Sequence, residues 1–499
     1  ATLIFTAHPI HTEVIANVKS RDEIMSLLFI CLTFITAFKY DEHKKPWMLA
    51  LSCFSYFLAF LAKEYAITLL ALIPLAFYLF NNKTIRESII KVIPFVITAG
   101  LYIALRRHYV GTQQGEGSDN EVLNNPYLFA TPAEKLATEI ATSLNYIKLL
   151  IIPTPLSADY SYNSIPYKDF SHPLVWLSLL VHGGLIAAGV YYFKRRSFLC
   201  FAIAFYFIHL LLICNIIFDI GATMGERLIF HSSVGFALAA AYFICKGLAA
   251  MADVKTRRMA LTGIMSVILV LFSIKTISRN LDWKNDKTLF FQDLNTVPNS
   301  VLVNGNVAAS YISMSDYEKN DSIKRKYLFN AIDLLNNALS VHRTFVAGFL
   351  NRGIAYFKLG DLDKAKPNFD TVRTLYPNYP TLESLYKLLG QNYNSTGWNV
   401  YGKAGKFDLA AVEFEKALAC DSLNPEIWYN LGGSMFNLHQ YPQAQYAWMR
   451  ALRINPNYKE ALQAYQIVTN ALNNPANRQP QPGQPQQQNG QQPAQQPKR

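Results

Sequence analysis

Two incompatible solvents are written into this one chain. Up to about residue 278, apolar runs such as Ser26 to Phe38, Phe198 to Phe218 and Met259 to Ile274 recur, long enough with their flanks to span roughly 30 Å of hydrocarbon. From about residue 301 the pattern changes to helical repeats with a period of about 34 residues, whose polar faces require water. Lipid leaves no partner for an unpaired backbone group, so repeated spans of this length read as helices. The expected fold class is therefore all-α: a polytopic membrane helix bundle followed by a tetratricopeptide-repeat α-solenoid.

We count about eight spans of this kind, near 22–40, 46–62, 65–80, 89–105, 173–193, 197–218, 233–250 and 259–277. The formal charge of +12 invites a nucleic-acid reading, but the placement of the cations argues for topology instead. Lys44 and Lys45, Lys83 and Arg86, Lys194 to Arg196, and Lys255 with Arg257 and Arg258 all fall in short connectors, as the positive-inside rule requires. With those connectors in the cytoplasm, residues 1–21, the Lys63-Glu64 corner, the 106–172 loop, the 219–232 loop and everything after Ser278 share the outer face. Of the 6 cysteines, Cys31, Cys53, Cys200, Cys214 and Cys245 lie in apolar runs, where Cys behaves as a small hydrophobe, and Cys420 stands alone in the repeats. Their spacing predicts neither a metal site nor a disulfide framework.

The repeats are readable position by position. In 346–379 the small and large positions of a helix-turn-helix unit fall at Phe349, Gly353, Tyr356, Ala365, Phe369 and Pro377. In 425–458 they fall at Trp428, Leu431, Gly432, Ala444, Trp448, Ala451 and Pro456, and 391–424 shows Tyr401, Ala410, Phe414 and Ala417. A degenerate unit ends with Ala331, Leu335 and Ala338, and 459–473 reads as a closing helix. Small residues that let paired helices approach, with aromatics between, are the tetratricopeptide signature. The expected domains are 1–278 in the membrane, 301–473 as repeats, and a disordered tail over 474–499, dominated by Gln and Pro, that buries too little apolar surface to fold.

Charges inside or beside spans are costly and so mark candidate functional positions. Four groups stand out, all on the expected outer face. The first is His8, Pro9, His11 and Glu13, followed by Lys19, Arg21, Asp22 and Glu23; Pro9 suits a helix start whose free N–H groups attract an anion. His8 and His11 are spaced to face one ligand, although a capped interfacial helix uses the same residues. The second is Lys63 and Glu64, also readable as an ion pair reaching the interface. The third is Arg106 and Arg107, with Asp159 in the same long loop, since paired arginines suit phosphate oxygens. The fourth is Glu226 and Arg227, which also read as a simple salt bridge. Metal is not expected, because zinc sites need three or four ligands at recognisable spacing.

These residues also carry a family likeness. HPIHTEVIANVKSRDE, LAKE before a span, PLSADYSYNSIP in the long loop and GERLIF before another span occur in this order, with repeats following. The set resembles the transmembrane and tetratricopeptide repeat-containing O-mannosyltransferases and their bacterial relatives, of the GT-C glycosyltransferase class. Two departures stand out. Where the family tends to read Leu-Tyr-Leu-Pro-Ser, this chain has Ile229, Phe230, His231, Ser232 and Ser233. The family's first outer loop, with its acidic catalytic residue, is expected upstream of Ala1, so the chain reads as N-terminally truncated.

The resemblance implies a GT-C-like glycosyltransferase moving a mannose-like sugar from a polyprenyl-phosphate donor to a hydroxyl outside the cytoplasm, with no bound cofactor. A protein Ser/Thr acceptor is expected, a lipid or envelope glycan being the other choice. Arg21, Lys63, Arg106, Arg107 and Arg227 are then expected to meet the leaving phosphate, where negative charge develops. His8, His11 and Glu13 would line the cleft, and Glu64 and Glu226 would orient the cations. The membrane lipid carrier and a polypeptide or envelope protein are the expected partners, nucleic acid is not, and the expected location is a bacterial inner membrane with periplasmic repeats. The competing reading is a non-enzymatic, membrane-anchored repeat scaffold for envelope proteins, in which the outer-face charges are replaceable.

Overall fold

The computed structural model describes residues 1–111 and 121–473. The tail expected over 474–499 lies outside the described residues. Among those that are described, the regular structure is entirely helical. Contacts divide the chain into two compact units, Ala1–Asn351 and Arg352–Arg499.

The first unit opens with two short helices, α1 (Thr2–Ala7) and α2 (Thr12–Ala16), separated by a 3-10 turn at Pro9–His11. Then come α3 (Arg21–His43), α4 (Pro46–Ala62), α5 (Leu69–Phe80), α6 (Ile85–Ile90) and α7 (Ile93–Tyr109). Local chemistry sets these limits. α3 carries Asp22 and Glu23 in its first turn, where the helix dipole favours anions, and stops at Lys44, whose φ of 56° leaves the helical region. Pro46 starts α4 at a position that needs no N–H, and Thr84 with Glu87 closes a capping box on α6.

Further along lie α8 (Pro132–Ile151), α9 (Pro173–Lys194), α10 (Phe198–Leu210), α11 (Phe230–Leu248) and α12 (Val254–Asp282). Among the described residues, five stretches are long and apolar enough to cross a membrane: Val18–His43, Ile85–Tyr109, Pro173–Lys194, Glu226–Leu248 and Val254–Asp282. Pro46–Ala62, Glu64–Phe80 and Phe198–Leu210 are apolar but shorter. The chain is a membrane protein. Leu180 on α9 and Ile274 on α12 remain 73% and 62% exposed, surface that only lipid makes favourable.

Several apolar cores hold the bundle, two of them extensive. Ile30, Tyr56, Phe60, Leu69, Phe77 and Phe95 join α3, α4, α5 and α7. Tyr146, Leu149 and Leu150 of α8 pack with Tyr206 and Leu210 of α10, and with Ile10 and Ile229. α10 and α11 approach closely at Gly235, where a Cβ would lie 2.4 Å from the Ala202 carbonyl oxygen. Two short connections, α13 (Asp286–Thr296) and the Pro298–Ser300 turn, lead to the pair α14 (Val301–Tyr317) and α15 (Asp321–Val341). This pair is packed with the loops of the membrane half: Val301 and Leu339 share a core with Leu123 and Tyr162.

Helix α16 (Val346–Lys358) runs through the unit boundary. The second unit continues with α17 (Leu362–Leu375), α18 (Leu382–Thr396), a π-helical turn at Gly397–Gly402, α19 (Phe407–Cys420), α20 (Pro425–Asn437), α21 (Tyr441–Ile454) and α22 (Lys459–Asn473). Successive antiparallel pairs form the expected solenoid. Ala365, Phe369, Ala410, Phe414, Ala444 and Trp448 are all buried, as their repeat positions require. The repeat expected to begin at 391 begins instead at Leu382. Its first helix is extended by the π turn, where Gly397 leaves room for Phe414; a Cβ there would meet that ring at 2.8 Å.

Candidate functional site

Glu13 and Arg227, 214 positions apart, meet at the centre of the candidate site. Arg227 donates from its guanidinium to Glu13 Oε1 at 3.1 Å and from its backbone N–H to Oε2 at 3.0 Å. Glu13 is buried, whereas the Arg227 side chain is 35% exposed. Burial pushes the Glu13 carboxyl above the ordinary carboxylate range, opposed by the nearby Arg227 and, more weakly, Arg279. The cation therefore faces outward from an anion it covers.

Glu226, next in sequence to Arg227, turns the other way. Its Oε1 accepts the Ser157 N–H at 2.6 Å and the Tyr160 hydroxyl at 2.8 Å. The short-range salt bridge open to Glu226 and Arg227 is thus not formed; the partner comes from the segment before α3. Buried Arg279 of α12 donates to Asp293 at 3.0 Å and to Asp282 at 3.1 Å, and Asp293 also accepts the Ala158 N–H at 2.9 Å. Burial raises the Asp293 carboxyl, against the pull of Arg279. The 157–160 loop is thereby clamped between Glu226 and Asp293.

Lys63 and Glu64 separate in the same way. Lys63 Nζ lies 2.8 Å from Asp22 and 2.7 Å from Glu23, while Glu64 pairs with Arg106 near the surface. Glu23 is fully buried, and its other oxygen is 3.1 Å from His231 Nδ1. The His231 ring stacks on His209 at 5.4 Å, and His209 Nε2 lies 3.0 Å from the Thr68 hydroxyl. Tyr65 stands edge-on to His231 at 5.6 Å and lies under Lys63, which ties the corner after α4 to the start of α11. Neighbouring charges at a turn point apart because each has an opposite charge on a different helix.

The two first-segment histidines do not share a ligand. His8 Nδ1 accepts the Ile10 N–H at 3.2 Å, so Nε2 carries the proton and donates to the Leu150 carbonyl at 2.9 Å. His11 Nε2 lies 2.9 Å from the Ser233 hydroxyl, among Phe5 and Phe230. Burial pulls His8 down to about 4 and His11 down to about 3, the latter helped by His8, so both rings are neutral near pH 7. Among the described residues no group of three or more His, Cys, Asp or Glu side chains is placed to hold a metal ion.

The remaining candidates are scattered. Arg21 and Arg107 are exposed, with no hydrogen bond or ion pair holding their side chains among the described residues. Asp159 accepts from the hydroxyls of Ser161 at 2.8 Å and Ser300 at 2.6 Å, which fastens its loop to the start of α14. An apolar slot of about 260 Å³ runs between α8, α9, α10 and α11, lined by Tyr206, Phe243 and, among others, Leu150 and Phe236, both of which His8 contacts. Arg279, Asp293 and His209 belong to the networks but were not among the sequence candidates. Arg279 had a usable signal, a charge closing an apolar run.

The tetratricopeptide repeat family model matches residues 425–458. The chain is 24% identical over 538 residues to Protein O-mannosyl-transferase TMTC3 of Homo sapiens, covering 93% of this chain and 56% of that protein. It is 26% identical over 356 residues to Protein O-mannosyl-transferase TMTC4 of Mus musculus, covering 62% and 46%. The chain is a homologue of these repeat-bearing proteins. It spans about half the length of the curated relatives it matches. Among solved structures, the MamA protein is 16% identical with a TM-score of 0.23, covering 37% of this chain and 90% of that one.

Proposed function

We propose that this chain belongs to a protein O-mannosyltransferase that uses a polyprenyl-phosphate sugar on the outer face of a membrane, a bacterial inner membrane in our reading. The observation that carries this is the arrangement of part-exposed cations over buried carboxylates: Arg227 on Glu13, and Lys63 on Glu23, with half-buried Asp22 beside it. A buried anion fixes a cation's position before substrate arrives, which is what a group stabilising developing negative charge requires. The names of the relatives supply the sugar and the acceptor class.

In the step proposed, the bond between the sugar's anomeric carbon and the phosphate oxygen breaks, and the charge left on the polyprenyl phosphate is taken up by Arg227 and Lys63. The acceptor hydroxyl oxygen bonds to the anomeric carbon and gives its proton to a carboxylate. The apolar slot between α8, α9, α10 and α11 suits the first isoprene units of the carrier. The repeats are the proposed binding surface for the polypeptide acceptor.

The test is transfer of labelled mannose from a polyprenyl-phosphate donor to a Ser/Thr peptide by the full-length protein. Arg227→Ala is expected to lower turnover by about a hundredfold or more while membrane insertion is kept. Arg21→Ala, which removes a cation with no carboxylate behind it, is expected to act more weakly. Wild-type turnover in Arg227→Ala would overturn the assignment and favour a scaffold.

A further inference from the structure

Glu23 and Asp41 lie 18 residues apart in α3, so about 27 Å of helix separates the candidate site from a second charged cluster. Asp41 is buried. Its Oδ1 receives Lys44 at 2.6 Å and also Lys91, while Oδ2 accepts from Asn81 Nδ2 at 2.9 Å and lies 3.9 Å from Lys83. Arg196, at the end of α9, donates to the Lys83 carbonyl at 3.2 Å and stacks over Tyr78 at 4.4 Å. One carboxylate therefore gathers three ammonium groups, with a guanidinium held beside them.

The local anions cannot balance this charge. Glu87 gives its oxygen to the capping box, accepting the Thr84 N–H at 2.8 Å and its hydroxyl at 2.9 Å, yet its charge still reaches Lys83 and Lys91. With Asp41 it leaves Lys44, Lys83, Lys91 and Arg196 in excess, and Glu42 lies beside His43. At 3.9 Å Lys83 is outside hydrogen-bond reach of Asp41, and its ammonium has no hydrogen-bond acceptor among the described residues. Ammonium groups held this close repel one another unless a second anion joins them. Exposed apolar side chains neighbour these lysines in the chain: Trp47 follows Lys44, Ile85 follows Lys83 and Ile89 precedes Lys91, each more than half exposed. Cations flanked by exposed apolar side chains at the ends of membrane helices match a molecule that is itself an anion on a hydrocarbon stem.

We propose that Lys83, Lys91 and Arg196, organised by Asp41, seat the phosphate of an anionic phospholipid at the end of the bundle opposite the candidate site. The lipid would tie the ends of α3, α5 and α9 to one leaflet, fixing the depth at which the bundle sits.

The test is native mass spectrometry of the whole chain, released from detergent after exposure to phosphatidylglycerol or phosphatidylcholine. The wild type is expected to retain phosphatidylglycerol selectively. The doublet Lys83→Gln/Arg196→Gln is expected to lose at least about fivefold of it, whereas Lys255→Gln/Arg258→Gln, with the same charge change on another connector, keeps it. Equal losses in both doublets would reduce the effect to diffuse charge and overturn the seat. Equal retention of the two lipids by the wild type would overturn it as well. Displacement by inorganic phosphate alone would assign the cluster to the free anion rather than the lipid. Should the first doublet fail to fold, lipid selectivity of the wild type and retention by Lys83→Arg/Arg196→Lys decide the matter.

Discussion

At the scale of single residues, the chain resolves its paired candidate charges through distant partners, Arg21 and Arg107 standing apart. Glu13 reaches Arg227 and Lys63 reaches Asp22 and Glu23, while Glu226 and Glu64 turn to other groups. The identities of these residues were legible in the sequence because charges near apolar runs are rare. Their pairing was not, because adjacent opposite charges look self-sufficient in a linear string, and only burial decides which of them gains more from a remote partner. Glu139 on α8 makes the same point and gives a prediction. It is 2% exposed, 4.0 Å from Lys135, and burial pushes it up to about 7, with Lys135 pulling against. A carboxyl with a folded pKa above its unfolded one holds its proton in the fold, so its contribution is lost as pH rises from about 4.5 to 7. Glu139→Gln is therefore expected to stabilise the protein at pH 8 by on the order of 1–2 kcal/mol and to change little near pH 4.5. Thermal unfolding in detergent at the two pH values checks this; an equal shift at both would show that the carboxylate's charge is not responsible.

At the scale of elements, hydropathy and repeat spacing placed the helices well. The eight apolar runs expected as spans each coincide with a helix, five of them of crossing length. α8 escaped because Glu134, Lys135, Glu139 and Lys148 dilute its hydropathy, although its capping box at Thr131 and Glu134 was present in the sequence. The last expected turns of α10 are absent: the helix stops at Leu210, and the backbone beyond it turns toward Asn215, whose φ is 63°. In the repeats the π turn had no sequence signal, since insertion of an extra residue per turn leaves the spacing of small residues nearly intact. Adjacent glycines of α20 offer a sharp contrast. A Cβ on Gly432 would lie 2.4 Å from Trp448 Nε1, whose N–H donates to the Tyr429 carbonyl at 3.0 Å, whereas Gly433 has nothing within 4 Å. Gly432→Ala is expected to destabilise the solenoid by about 1–3 kcal/mol through overpacking. Gly433→Ala is expected to stabilise it by about 0.5–1 kcal/mol through helix propensity. Urea unfolding of the two variants would separate them, and equal effects would mean that the helices do not approach as closely as Trp448 implies.

At the scale of the whole molecule, the proposed topology rests on parity. An even number of crossings returns the chain to the side from which it started, and α3, α4, α5, α7, α9, α10, α11 and α12 are eight apolar helices joined by alternating basic and less basic connectors. On the topology proposed here, Lys45 and Lys255 lie on one side, and the segment before α3 and Lys284 on the other. All three lysines are exposed, so single-cysteine variants report on them directly. In a background with the 6 native cysteines replaced, Lys284→Cys is expected to react with a membrane-impermeant maleimide on intact cells, and Lys45→Cys and Lys255→Cys only after permeabilisation. The three short helices make this a demanding test, because Pro46–Ala62, Glu64–Phe80 and Phe198–Leu210 must each cross for the parity to hold. At 17 residues or fewer they rise at most about 26 Å, so they cross only if the bilayer thins or their polar ends reach the interface. If one of them re-enters instead, Lys284 and Lys45 share a side, the candidate site and the basic connectors no longer lie across the membrane from each other, and outer-face transfer falls with them.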